Sequence, residues 1–202
     1  MLIVAINGSP DPDGNTAFLL KRTLAAAETR GAETLLMHAA TKVASTGGSP
    51  FCTVCSNPCD GTCFKDTPLE KAYGTMAGAD AIILGSPVYF GTVTAQLKAF
   101  FDKTRRLRRQ QELYNKIGAG VTVAASKYGG QETTMRALHD IMLVHGMIIV
   151  GDGFGDADCG HHGVCAQRPA SADNDALKRA DLLAARLVEV CHATAALRQS
   201  HS

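Results

Sequence analysis

No charge of either sign dominates this chain, and that excludes a good deal. Its 202 residues carry 20 Lys and Arg against 19 Asp and Glu, a formal net charge of +1. Bulk electrostatics therefore draw it neither to nucleic acid nor to an anionic membrane. No apolar run approaches the roughly 20 residues that cross a bilayer, and no basic region precedes the apolar opening, so neither a membrane span nor an export signal is expected. Internal repeats and low-complexity tracts are missing, and nothing in the composition suggests disorder. The loop after the opening strand has neither the lysine and paired glycines of a nucleotide P-loop nor a G-x-G-x-x-G pattern, which argues against a nucleoside triphosphate.

What remains, 46% hydrophobic and 19% charged, is the composition of one globular domain spanning residues 1–202 with a substantial core. A cytoplasmic protein is expected. In such a reducing compartment clustered cysteines are more often ligands or redox groups than disulfides.

Strand-like and helix-like segments alternate along the chain. Strands are predicted near 2–7, 33–38, 80–85, 117–125 and 147–151, and helices near 15–30, 67–78, 93–108, 131–146 and 172–198. The pattern predicts an α/β fold, a doubly wound five-stranded parallel sheet with its ligand beyond the strand C-terminal ends. Three loops there are rich in Gly, Ser or Asn, follow strands and precede helices: 9–16, 86–93 and 126–131. The first joins an apolar strand to a helix N-terminus, an arrangement that cradles an anion, with phosphate as the expected guest. In the second, adjacent Tyr89 and Phe90 either wall a flat aromatic ligand, with Gly91 letting the backbone come close, or simply close the edge of the core.

Four of the seven cysteines, Cys52, Cys55, Cys59 and Cys63, fall in one segment with spacing C-x2-C-x3-C-x3-C. They lie in the stretch 39–66, too long for a simple connection. Thiolates so close together can converge on one metal or cluster.

These residues resemble the flavodoxin-like NAD(P)H-dependent FMN reductase superfamily and, within it, the iron–sulfur flavoproteins. The likeness runs through Gly8-Ser9-Pro10 with Gly14-Asn15-Thr16, then residues 85–91 followed by Ala95-Gln96-Leu97-Lys98, then residues 128–134. It implies a flavodoxin-like sheet of order 2-1-3-4-5 with a cysteine-rich loop after the second strand. It implies that Ser9, Asn15 and Thr16 hold the FMN phosphate. Pro87, Val88, Tyr89, Phe90 and Gly91, with Ser126, Tyr128, Gly129, Gly130 and Gln131, would flank the isoalloxazine ring. The four cysteines would hold a four-iron, four-sulfur cluster, and the protein would be a homodimer or homotetramer. Two features depart from the family pattern. Asp11 and Asp13 stand where a basic residue is common, and three residues rather than two separate Cys55 from Cys59.

The leading expectation is electron transfer between FMN and the cluster, linking a one-electron donor such as a ferredoxin to a two-electron acceptor. No side chain need act as a general acid or base. The alternative is an NAD(P)H-dependent FMN or quinone reductase with zinc or no metal at the cysteines. A third reading, motivated by the two acids, is a metal-stabilised sensor module without flavin. The stretch 151–165, with Cys159, His161, His162 and Cys165, is read as flexible backbone after the fifth strand rather than a second metal site. His139 and His145 read as core-edge residues and Cys191 as a small buried hydrophobe. The basic run 105–109 reads as a solvated helix end.

Overall fold

The computed structural model describes residues 1–155 and 158–199. β1 (Leu2–Asn7), β2 (Glu33–His38), β3 (Ala81–Pro87), β4 (Ile117–Ala124) and β5 (Ile148–Ile149) lie parallel in the order β2-β1-β3-β4-β5. The register sets Ile3 opposite Thr34 on one side and Ala81 on the other, and Ala81 opposite Ile117. This is the flavodoxin-like doubly wound sheet expected from the sequence.

Burial on both faces explains the unbroken apolar runs of β1 and β3. Ile3, Ala5 and Ile83 face α1 (Asn15–Glu28) and α7 (Asn174–Ala193). Val4, Ile6, Ile82 and Leu84 face α3 (Pro68–Gly78), α4 (Ala95–Asp102) and α6 (Gln131–Leu143). Among the described residues no helix is long and apolar enough to cross a membrane.

Four details differ from the sequence reading. First, the stretch after β2 opens with a short helix, α2 (Ala39–Ala44), before it becomes irregular. Second, the helix expected over 93–108 is broken: α4 ends at Asp102 and α5 (Arg105–Arg109) restarts after Thr104, whose hydroxyl donates to the Phe101 carbonyl at 2.6 Å. Third, the last helix breaks at Thr194 into α7 and α8 (Ala195–Gln199).

The fourth concerns the sheet edge. β5 pairs with only the first two residues of β4, and a further strand, β6 (Val164–Gln167), pairs parallel with Val121–Ala124 farther along. The glycine-rich stretch therefore interrupts the edge strand instead of following it. Its two limbs run close together, the Asp152 N–H donating to the His161 carbonyl at 3.3 Å and the Phe154 N–H to the Asp158 carbonyl at 3.1 Å.

Candidate functional site

Three loops expected to share a ligand do meet at the C-terminal edge of the sheet. The Gly8 N–H donates to the Gly85 carbonyl (2.7 Å), and the Thr94 hydroxyl, at the start of α4, donates to the Gly8 carbonyl (2.5 Å). The Val88 N–H donates to the Val123 carbonyl at 2.9 Å. Loop 87–91 touches loop 126–131 where Gly130, at φ 96, would bring any Cβ to 3.2 Å from the Gly91 Cα and from the Val88 Cγ1. Only glycine lets these two loops pass so closely.

The first loop leaves a helix N-terminus open. Gly14 leaves the N-terminus of α1 without a side-chain cap, and no acid stands in its first turn. Its free N–H groups and positive helix end match a phosphate. Ser9 and Thr16 are buried beside it. The Ser9 hydroxyl accepts from the Asp11 N–H at 3.1 Å, which leaves its own proton to donate. The two acids are engaged within the loop: Asp11 accepts from the Asp13 N–H at 3.0 Å, and Asp13 stands 3.2 Å from the Lys21 ammonium. Asn15 turns its Oδ1 to the Ala170 N–H at 2.8 Å, tying α1 to the segment after β6.

Tyr89 and Phe90 do not close the core, because both are exposed, Phe90 completely. They belong to a tight turn in which the Tyr89 and Thr92 backbones bond each other in both directions (3.0 and 3.1 Å). Phe90 and Gly91 hold φ 50 and φ 77. A bulky residue in the left-handed region is strained, and such strain concentrates at ligand sites. Pro87 and Val88 stand half-buried at the base of this turn. Across from it Ser126 and Tyr128 are exposed, with the Lys127 ammonium 5.7 Å from the centre of the Tyr128 ring. Gln131 is a brace: buried, it accepts from the Gly129 N–H (2.9 Å) and donates to the Ser126 carbonyl (2.8 Å). A groove of about 1360 Å³ continues from Tyr128 along β6 past His161, Cys165 and Arg168.

The four cysteines line a second cavity of about 350 Å³, together with residues 46–49, Lys103 and Arg105. Neither a carboxylate nor a histidine enters that lining. The backbone is tightly curled. Val54, between Cys52 and Cys55, holds φ 52, and Gly61 holds φ 81 beneath the Phe64 ring and the Arg106 guanidinium. Burial pushes the Cys63 thiol up, the Lys103 ammonium opposes that rise, and Cys55, Cys59 and Cys52 add to it. Among the described residues no group of three Cys, His, Asp or Glu side chains is gathered tightly enough for a single ion. A lining with four thiols offers the donor type that zinc and iron–sulfur centres both use. The donors are soft, as iron–sulfur chemistry requires.

The basic run differs from the solvated helix end expected. Arg105 donates to the Ser56 carbonyl (3.4 Å), and Arg106 stacks on Phe64 (5.1 Å) while facing Glu70 (3.5 Å), so two of its arginines fasten the cysteine loop. Lys103, buried at the break between α4 and α5, is a site residue that sequence reading missed. Within the stretch 151–165, Asp156 and Ala157 lie outside the described residues. Cys159 and Cys165 are exposed and Cys191 is buried, where desolvation pushes its thiol up to about 11. His139 is half-buried and packs edge-on against His162 with ring centres 6.0 Å apart.

Comparison with known proteins agrees with this geometry. Residues 1–160 match the family described as NADPH-dependent FMN reductase. An iron–sulfur flavoprotein of Methanocaldococcus jannaschii is 40% identical over 192 residues, covering 94% of this chain and 97% of that protein. One from Methanosarcina thermophila is 35% identical over 191 residues, covering 94% and 95%. Among solved structures, a flavodoxin, WrbA-like protein from Agrobacterium tumefaciens superposes with a TM-score of 0.70 at 21% identity, over 96% of this chain and 98% of that one, and shows the shared fold. With this sheet and these relatives over nearly its whole length, the chain belongs to the NADPH-dependent FMN reductase family of flavin-dependent oxidoreductases, and within it to the iron–sulfur flavoproteins.

Proposed function

We propose that this flavin-dependent oxidoreductase holds a four-iron, four-sulfur cluster at Cys52, Cys55, Cys59 and Cys63 and passes electrons between it and FMN. When bound, FMN supplies two-electron chemistry that can be released in single steps, and the cluster supplies one-electron transfer. The observation that carries the reading is the cysteine cavity, in which four thiols and two cations are the chemically active lining.

The chain's own part is positioning. Ser9, Thr16 and the uncapped N-terminus of α1 hold the phosphate. Asn15 and Gln131 act one step back, fixing α1 and loop 126–130 through Ala170 and Ser126. Tyr89, Phe90 and Tyr128 present aromatic surface to the ring, with Pro87, Val88 and Gly91 setting the loop beneath. Arg105 and Arg106 fasten the cysteine loop. A small one-electron donor of the ferredoxin kind, a homodimer or homotetramer, and a cytoplasmic setting complete the proposal.

A second reading keeps the flavin and takes electrons from NAD(P)H, with zinc or no metal at the cysteines. The family's description favours it, as does the open groove beside Tyr128. Anaerobic reduction separates the two. Under the first reading, viologen reduced by dithionite bleaches the flavin band rapidly in iron-loaded protein and much more slowly in iron-free protein. Equal bleaching by NADPH with and without iron would favour the second.

A further inference from the structure

We propose that Lys103, the buried one of two cations lining the cysteine cavity, is a resident counter-charge that favours assembly of its anionic group and raises the potential at which that group takes an electron. The inference rests on reading the cavity as a cluster site.

Lys103 is 4% exposed and lines the cavity with all four cysteines. Among the described residues no carboxylate pairs with it. Neighbouring cations are treated differently: Lys98 meets Asp102 at 2.5 Å, Arg106 meets Glu70 at 3.5 Å, and the other buried lysine, Lys116, donates to the Ala79 carbonyl at 2.7 Å. A buried ammonium is strongly unfavourable unless an anion or a set of acceptors faces it. Lys103 shares the lining of the cavity with the four thiols.

Lys103 is the C-cap residue of α4, just before the break at Thr104. A cluster bound by four thiolates is an anion and gains one more negative charge on reduction. A fixed cation nearby stabilises the reduced form more than the oxidised one, which raises the potential.

The test compares wild type, Lys103→Met and Lys103→Arg, each purified anaerobically with its FMN. Iron and sulfide are assayed, the cluster potential is followed by electron paramagnetic resonance during redox titration, and the thermal midpoint is measured after the metal is stripped. The expected result is a more negative cluster potential in Lys103→Met and a near-wild-type one in Lys103→Arg, while stripped Lys103→Met is no less stable than stripped wild type. Failure of Lys103→Met alone to load iron would also support a need for the charge. An unchanged potential in fully loaded Lys103→Met would overturn the proposal, as would a lower midpoint of its stripped form, which would mark Lys103 as packing. Wild type without iron would instead refute the cluster reading itself, and this inference with it.

Discussion

Replacing Phe90 with asparagine separates what the turn costs from what it serves. Phe90 sits at φ 50 and Gly91 at φ 77, the two central positions of a turn closed by Tyr89 and Thr92. Positive φ at both favours Asn-Gly. The Phe90 side chain is completely exposed, so its removal forfeits no packing. The left-handed region costs a bulky residue about 1–2 kcal/mol, most of which asparagine avoids. Flavin-free protein should therefore gain about 1 kcal/mol, which for a chain of this size is about 2–4 °C in the thermal midpoint. FMN affinity should move the other way. An aromatic contact is worth about 0.5–1.5 kcal/mol beyond the area it buries, so the dissociation constant should rise roughly 2- to 12-fold. Circular dichroism melts of flavin-free protein give the first quantity and quenching of FMN fluorescence the second. A destabilised variant, or a stabilised one with unaltered FMN affinity, would refute the reasoning.

Cys52→Ser should remove or convert the iron centre while FMN stays at wild-type occupancy; loss of both would mean that the loop supports the fold. Gly61→Ala forces a Cβ into the left-handed region at φ 81 and to 2.8 Å from the Phe64 ring. It should lower stability by about 1–3 kcal/mol and reduce retained iron, read by thermal melting and iron assay. His145 bears on acid stability. Burial and the Arg108 charge lower its pKa from 6.5 to about 4. Its Nε2 lies 3.0 Å from the Thr104 hydroxyl, which already donates to Phe101, so the ring is assigned as the neutral Nε2–H tautomer. The unfolded chain thus binds a proton that the folded chain refuses, and stability falls as pH drops from 6.5 towards 4. Urea titrations across that window should show a shallower slope in His145→Gln, and equal slopes would contradict the assignment.

The parts legible in the sequence were those whose pattern has a local cause. β1 and β3 are buried on both faces, so they read as unbroken apolar runs, and the loops after them carry the glycines that close approach demands. The cysteine spacing foretold a shared cavity. β6 was hidden because only four residues pair, with Val164 and Ala166 buried but Cys165 and Gln167 exposed, after a long interruption of the edge strand. The break at Thr104 was hidden because Leu97, Phe100, Phe101 and Leu107 keep a helical period across it. Lys103 follows from that break, and a lysine in a helical pattern reads as solvated. The bonds that Asn15 and Gln131 make to Ala170 and Ser126 depend on loop geometry that no spacing encodes. Exposure alone excludes the core edge for Tyr89 and Phe90, since a Tyr-Phe pair after a strand suits a core edge as well as a ligand wall.

The central claim is that the cysteine cavity holds an iron–sulfur cluster beside a flavin. Iron, acid-labile sulfide, zinc and FMN per subunit, measured on protein purified without oxygen, test it most directly. About four iron, about four sulfide and about one FMN are expected. One zinc, or no metal, with FMN still present would contradict it and leave an NAD(P)H-dependent flavin reductase.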